Sequence, residues 1–314
     1  MMLARVADSL YWMGRYIERA EHASRVAAVM LNATLDRTAG GAQTGRIALA
    51  SLGARDPGRA ENALDAARDL ALDRNDAGSV MVSLARAREN ARQVRDQITT
   101  ETWGRLNLVY LRVTGGGAQA AFEDDPGGFL REIIADLHLF KGAADTTLSH
   151  GEGWRFLLLG VHIERAQLSA RLLEACFNDN EGRPITDPIA LMSVLRMACA
   201  LEPYLRAYTA DINPRFILEF LLFDEDFPRS IQFCAARIQD LLAQLSQAAG
   251  VEQRSDALRL AGRLEAQLKY ADVGEVERVG AGALLGAVSA ECAAIHEAIH
   301  ETFVAYPVEM RLPA

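Results

Sequence analysis

From Leu3 the apolar and small side chains fall at Leu3, Val6, Leu10, Met13, Ile17, Ala20, Ser24, Ala27 and Leu31, spaced alternately by three and four. That period predicts an amphipathic helix with a coiled-coil-like seam. The stripe returns at Phe156, Leu159, Ile163, Ala166, Ala170, Leu173 and Phe177, each 146 positions after its counterpart. Polar residues repeat with it: Gly14, Glu18, Arg19 and Arg25 recur as Gly160, Glu164, Arg165 and Arg171, inside Tyr-Ile-Glu-Arg-Ala and His-Ile-Glu-Arg-Ala.

A second echo points to the same duplication. Leu72-Asp73 followed by Ser79-Val80 resembles Phe223-Asp224 followed by Ser230-Ile231 at an offset of 151, which requires a five-residue indel between the copies. Ser79 and Ser230 each precede an apolar-periodic run, where a hydroxyl caps orphan amide groups. The period is too long for a solenoid and suits two copies of a helical half-bundle. Further helices are predicted over 60–72, 79–98, 129–149, 188–208, 215–223, 230–248, 256–270 and 281–304, and strand alternation is missing. Turns are expected at Gly40-Gly41, Asp56-Pro57-Gly58, Gly115-Gly116-Gly117, Asp125-Pro126-Gly127-Gly128 and Arg183-Pro184, with the glycine-rich, acidic segment 114–128 as a loop. The expected fold is all-α, a bundle of two half-bundles (1–150 and 151–314) related by a pseudo-twofold and packed as one domain over 1–306.

Composition narrows the function. At 314 residues, half of them hydrophobic and 24% charged, the chain is an ordinary globular one. Its net charge of −9 removes the broad basic footprint that nucleic acid demands. Cys176, Cys199, Cys234 and Cys292 form no CxxC pair and suit reduced core positions. The longest uncharged run, 279–290, is far short of the roughly 18 to 20 residues of a membrane span. A cytoplasmic, bacterial protein with no membrane or nucleic-acid partner is expected. Only Lys141 and Lys269 are lysines, so arginine carries nearly all the positive charge.

Several motifs fail on inspection. His296-Glu297-Ala298-Ile299-His300 spells HExxH, but a zincin needs a third ligand downstream and no histidine follows His300. A di-metal carboxylate bundle needs two Glu-x-x-His motifs, and only Glu297 to His300 has that spacing. The glycines at 115–117 and at 280–286 follow no strand and precede no Lys-Ser or Lys-Thr pair. A GxSxG elbow is missing.

The duplicated Glu-Arg pair is the strongest chemical signal. Tyr11, Gly14, Glu18 and Arg25 lie along one helical stripe, with Arg15 and Arg19 beside it. Glu18 follows Ile17 of the apolar seam, so its carboxylate sits where an unpaired charge is costly and an arginine partner is expected. Gly160, like Gly14, leaves room for a partner group one turn before the glutamate. Two arrangements remain open: buried Glu–Arg bridges that clamp the half-bundles in register, or a shared cavity in which arginines grip a carboxylate or phosphate and the glutamates orient an amine. An acid–base mechanism lacks a histidine, lysine or thiol recurring beside both glutamates. The expected polar cluster is Tyr11, Gly14, Arg15, Glu18, Arg19, Arg25, Gly160, Glu164, Arg165 and Arg171, with no catalytic residue, metal or cofactor assigned.

The string from Leu10 to His22, with Arg88-Glu89-Asn90-Ala91-Arg92, Arg95-Asp96, Leu106-Asn107, His138-Leu139-Phe140, Glu152-Gly153-Trp154-Arg155-Phe156, Glu164-Arg165 and the run from Phe223 to Ser230, resembles the bacterial alpha-E proteins, an all-helical group named for its Glu-Arg motif. The resemblance spans nearly the whole chain and marks Asn90, Asp96, His138, Asp224, Asp226 and Arg229 as secondary site candidates. The second helix reads Leu158-Leu159-Gly160-Val161-His162, so aromatic roles carry over only to the first copy. The resemblance implies genomic company: a circularly permuted ATP-grasp carboxylate–amine ligase, often with a transglutaminase-like peptidase. This chain has neither the ligase's nucleotide loop nor the peptidase's Cys-His machinery, which leaves the part of a helical accessory subunit. A binding module of this kind is expected to expose an apolar patch rimmed by arginine; an enzyme, to enclose Glu18 and Glu164 in one pocket with strongly shifted pKa values. An odd helix in either half would leave a seam for a second copy, so a homo-oligomer is also among the expected assemblies.

Overall fold

In the computed structural model, which describes residues 2–35, 38–53, 62–177, 185–209, 211–249 and 255–304, the first stripe forms α1 (Ala4–Thr34) and its echo forms α8 (Glu152–Phe177). The central seam positions are buried as the period requires, Leu10, Met13, Ile17, Ala20 and Ala27 on α1 and Leu159, Ile163, Ala166, Ala170 and Leu173 on α8, whereas Leu3, where the expected seam begins, is exposed and Val6 and Leu31 are half-buried. Between them run α2 (Ala39–Ser51), α3 (Ala63–Leu72), α4 (Val80–Gln93), α5 (Thr100–Thr114), α6 (Ala118–Asp124) and α7 (Pro126–Thr147). After α8 come α9 (Pro188–Met197), α10 (Leu201–Ala207), α11 (Pro214–Phe223), α12 (Ile231–Ala249), α13 (Asp256–Lys269), α14 (Val273–Val279) and α15 (Ala281–Ile299), closed by a π-helical turn at His300–Val304. All described regular structure is helical.

α1 and α8 form the most extensive helix pair and the axis of the molecule. α1 also packs on α4, α7, α3, α2 and α9, while α8 packs on α12, α15 and α2. Outside these, α5 joins α4 to α7, and α13 joins α12 to α15.

The two echoing serines occupy matching positions. Ser79 Oγ accepts the Val82 amide at 3.2 Å and donates to the Asp73 carbonyl at 2.6 Å. Ser230 Oγ accepts the Phe233 amide at 3.0 Å and donates to the Asp224 carbonyl. Each hydroxyl therefore caps one helix and ties it to the end of the preceding one. Ser79→Ala and Ser230→Ala should each lower stability by about 1–2 kcal/mol, the usual worth of such a cap, as read from urea midpoints. An unchanged midpoint in both would contradict the assigned role.

Several expected boundaries are corrected. Gly40 and Gly41 lie in the first turn of α2 instead of forming a turn, because their missing side chains admit close neighbours: a Cβ at Gly41 would sit 2.3 Å from the Ala33 carbonyl oxygen. The segment 114–128 contains α6, pinned by buried Phe122 edge-on to Phe129 at 5.8 Å, and Asp125 caps α7 through the Gly128 amide. The helix expected over 188–208 bends by 114° between α9 and α10, where Cys199 takes a φ of 57°. α5 was not expected, although buried Thr102, Leu106, Val109 and Val113 give it an apolar face; α14 is also additional. The turns expected at 56–58 and 183–184, and the start of the helix expected from 60, lie outside the described residues.

By length and composition, 281–304 is the one continuous described helix apolar enough to cross a membrane, at a mean hydropathy of 1.2 with 33% of that window buried. Its inward face, Leu285, Val288, Cys292 and Ile295, is buried where it packs on α8 and α13.

Candidate functional site: the crossed Glu–Arg cluster

Where α1 crosses α8, backbone meets backbone. A Cβ at Gly14 would lie 2.1 Å from the Leu157 carbonyl oxygen, and one at Gly160 would lie 2.0 Å from that of Tyr11. The space left by each glycine is thus filled by the opposing main chain and not by a partner side chain, contrary to the expectation from sequence. One helical turn later the two glutamates enter this tight crossing.

The charges pair across the helices. Glu164 accepts from Arg15 Nε at 2.7 Å and Arg19 Nε at 2.6 Å, both on α1. Glu18 accepts from Arg165 Nε at 2.8 Å and Nη2 at 3.0 Å, on α8. Around Glu18 the set widens: Lys141 Nζ of α7 reaches Oε2 at 2.6 Å, and Arg229 Nη1, from the turn before α12, reaches Oε1 at 3.0 Å. Glu21 adds a second carboxylate, held by Arg229 at 2.6 Å, Arg25 at 3.0 Å, His138 at 3.3 Å and Lys141. Glu18, Glu21 and Glu164 are all buried.

Burial alone would raise these acids, but the cations prevail. The Arg165 guanidinium, with Lys141 and Arg229, holds the Glu18 carboxyl well below the usual range. Against the same burial, Lys141, the His138 hydrogen bond and Arg229 do so for Glu21, and Arg15 and Arg19 lower Glu164. Each is a permanent anion at neutral pH, with its oxygens already engaged.

The two copies differ in an instructive way. Position 167 holds Gln where the first copy has Glu21, and position 161 holds Val where it has Arg15. Gln167 accepts from Arg15 Nη2 at 2.7 Å. With no acid four residues earlier, Arg171 lies exposed on α8 outside the cluster, whereas Arg25 is held by Glu21.

Among the other candidates, His138 and Arg229 join the cluster. Asp224 takes no part in the ion pairs, yet its carboxylate accepts the Asp226 and Phe227 amides and so shapes the turn that carries Arg229. Asn90 donates to the Arg86 carbonyl within α4; Asp96 and Asp226 are exposed. Tyr11 donates or accepts at His296 Nδ1, 2.9 Å away, with its ring stacked on that imidazole. This contact ties the HExxH helix to α1. Among the described residues, no group of three or more His, Cys, Asp or Glu side chains is placed to hold a metal ion. Two cavities, one lined by 111–132 between α5, α6 and α7 (about 450 Å³) and one by 266–287 between α13, α14 and α15 (about 350 Å³), lie away from the cluster.

Glu21, Lys141 and Gln167 were not singled out from sequence as site residues. Lys141 carried a signal all the same, as one of two lysines in an arginine-rich chain.

Two buried histidines set an acid limit. Burial, reinforced by Arg229 for His22 and by Arg165 for His162, lowers them to about 4 and about 3. Below about pH 6.5 the unfolded chain therefore takes up protons that the folded one refuses, and stability falls as pH drops. The three glutamates, lowered on folding, withdraw their contribution only below about pH 4.5. Urea midpoints should thus be level between about pH 7 and 8 and decline measurably between about pH 6.5 and 4.5. A flat profile down to pH 4.5 would show that neither imidazole is buried in its neutral form.

A family model called Alpha-E, described as a predicted alpha-helical domain with a conserved ER motif, matches residues 2–304. Uncharacterised proteins of Mycobacterium bovis and Mycobacterium tuberculosis are 26% identical over 324 residues. The match takes in 95% of this chain but only 36% of each relative's length. No solved structure matches the chain.

Proposed function

The chain belongs to the Alpha-E family, and from that premise we propose that it is a non-catalytic helical module serving an ATP-grasp ligase-linked system that makes, tags or modifies peptides in the bacterial cytoplasm. The observation that carries the non-catalytic part is the saturation of the three carboxylates. A general acid or base works with a pKa near the operating pH and a free edge toward substrate, whereas Glu18, Glu21 and Glu164 are buried, multiply paired and lowered.

The module arises from an internal duplication, with the crossed pairs lying about a pseudo-twofold. Packing order supports this reading: α1 with α4, α4 with α5, α5 with α7 and α7 with α1 are echoed by α8 with α12, α12 with α13, α13 with α15 and α15 with α8. The matching Ser79 and Ser230 bridges support it independently. In this reading the clamp fixes the register of two halves that apolar seams alone would let slide.

The accessory role rests on the family resemblance and on the relatives, in which the matched region is joined to further chain making up most of their length. The partner proposed is a circularly permuted ATP-grasp ligase, with a transglutaminase-like peptidase acting in the same system. Co-expression with the neighbouring ligase should give a complex that survives purification, and ligase turnover should drop when this chain is left out. ATP- or metal-dependent turnover by the isolated chain, or ligase activity indifferent to it, would refute the proposal.

A further inference from the structure

The cluster is not electrically balanced. Three carboxylates, Glu18, Glu21 and Glu164, face six permanent cations: Arg15, Arg19, Arg25, Lys141, Arg165 and Arg229. The imbalance is concentrated around Glu18 and Glu21, where two acids meet Arg25, Lys141, Arg165 and Arg229. An excess of two positive charges in a largely buried setting, within a chain of net charge −9, is costly unless an anion offsets it.

One side of this group opens to solvent. The side chains of Lys141 and Arg25 remain 26% and 18% exposed, and the His138 imidazole, which touches Arg25, is 56% exposed. His138 Nε2 sits at a loose 3.3 Å from both Arg25 Nη2 and Glu21 Oε1. Among the described residues, Arg25 Nε is buried with no acceptor, and the Nε2 of buried His22 also has no partner. An unsatisfied N–H on a guanidinium that touches a loosely held, exposed ring is an unfilled acceptor position.

We infer that this mouth binds a doubly charged oxyanion, a phosphate or phosphate monoester, gripped by Arg25, Lys141 and Arg229 after the His138 ring swings aside. Two donors on a planar guanidinium beside an ammonium suit a tetrahedral dianion, and its charge matches the local excess. The site is a binding site only; no bond is made or broken there. It goes beyond the accessory role and is read on the isolated chain, so its failure leaves the ligase partnership standing.

The test titrates the full chain with inorganic phosphate, and separately with AMP as a monoester, at ionic strength fixed with sodium chloride. Saturable binding with a Kd of about 1 mM or tighter is expected for one or both, and tighter AMP would identify the ester as the preferred form. Arg25→Gln should weaken binding at least tenfold, while His138→Ala, which removes the ring that has to move, should tighten it. In the wild-type chain, the imidazole NMR signals of His138 should move on adding phosphate and those of exposed His150 should not, a readout that needs no variant to fold. Binding no stronger than that of chloride, an unchanged affinity in folded Arg25→Gln, or a motionless His138 would overturn the inference.

Discussion

Gly14→Ala and Gly160→Ala each destabilise the protein by about 3 kcal/mol or more, or stop it folding, because the added methyl must displace the main chain of the opposing helix. The contacts a Cβ would make, near 2 Å, are with carbonyl oxygens that belong to helical backbone and have no rotamer to escape into. The sign makes the prediction sharp. Within a helix, glycine to alanine ordinarily stabilises by up to about 1 kcal/mol through propensity. Gly142 and Gly286, where a Cβ meets nothing within 4 Å, supply that comparison: alanine there should raise the urea midpoint while alanine at 14 or 160 lowers it. Equal effects at all four sites would mean that α1 and α8 are not in backbone contact.

Glu18→Gln follows in size, costing about 3–5 kcal/mol, the usual penalty for removing one partner of a buried ionic group. The loss is more than one missing attraction, since Arg165, Lys141 and Arg229 then face one another with Glu21 left to pair only Lys141 and Arg229. Glu89→Gln removes a comparably short contact, to Arg92 at 2.7 Å on the surface, and should leave the urea midpoint nearly unchanged. Denaturation of the two variants side by side separates burial from mere ion pairing. A cost for Glu18→Gln as small as that for Glu89→Gln would contradict the assigned burial.

Much of the centre of this molecule was legible in sequence because it is periodic. A seam of three and four, repeated 146 residues on, identified α1 and α8, and a glutamate adjoining that seam called for an arginine across the crossing. Arg15, Arg19 and Arg165 answer it. What was not legible depends on tertiary approach. Lys141 and Arg229 come from α7 and from the turn before α12, and no spacing along the chain announces that they converge on Glu18. Glu21 sits inside the string that carries the resemblance, but its partners lie on other elements, so its role emerges only on folding. The purpose of Gly14 and Gly160 was half visible: the need for space could be read, the occupant could not. α6 was hidden under a glycine-rich composition that usually marks a loop, and is held by the Phe122–Phe129 contact. The bend at Cys199 lies in a run whose apolar pattern continues unbroken, so periodicity alone joins two helices that the backbone separates.

The central claim is that α1 and α8 are locked to each other by crossed ion pairs. A double-mutant cycle on Arg15 and Glu164, using Arg15→Gln, Glu164→Gln and the double variant, tests it most directly. Coupling of about 2 kcal/mol is expected between these positions; single effects that simply add, to within about 0.5 kcal/mol, would show that the pair does not hold the helices together.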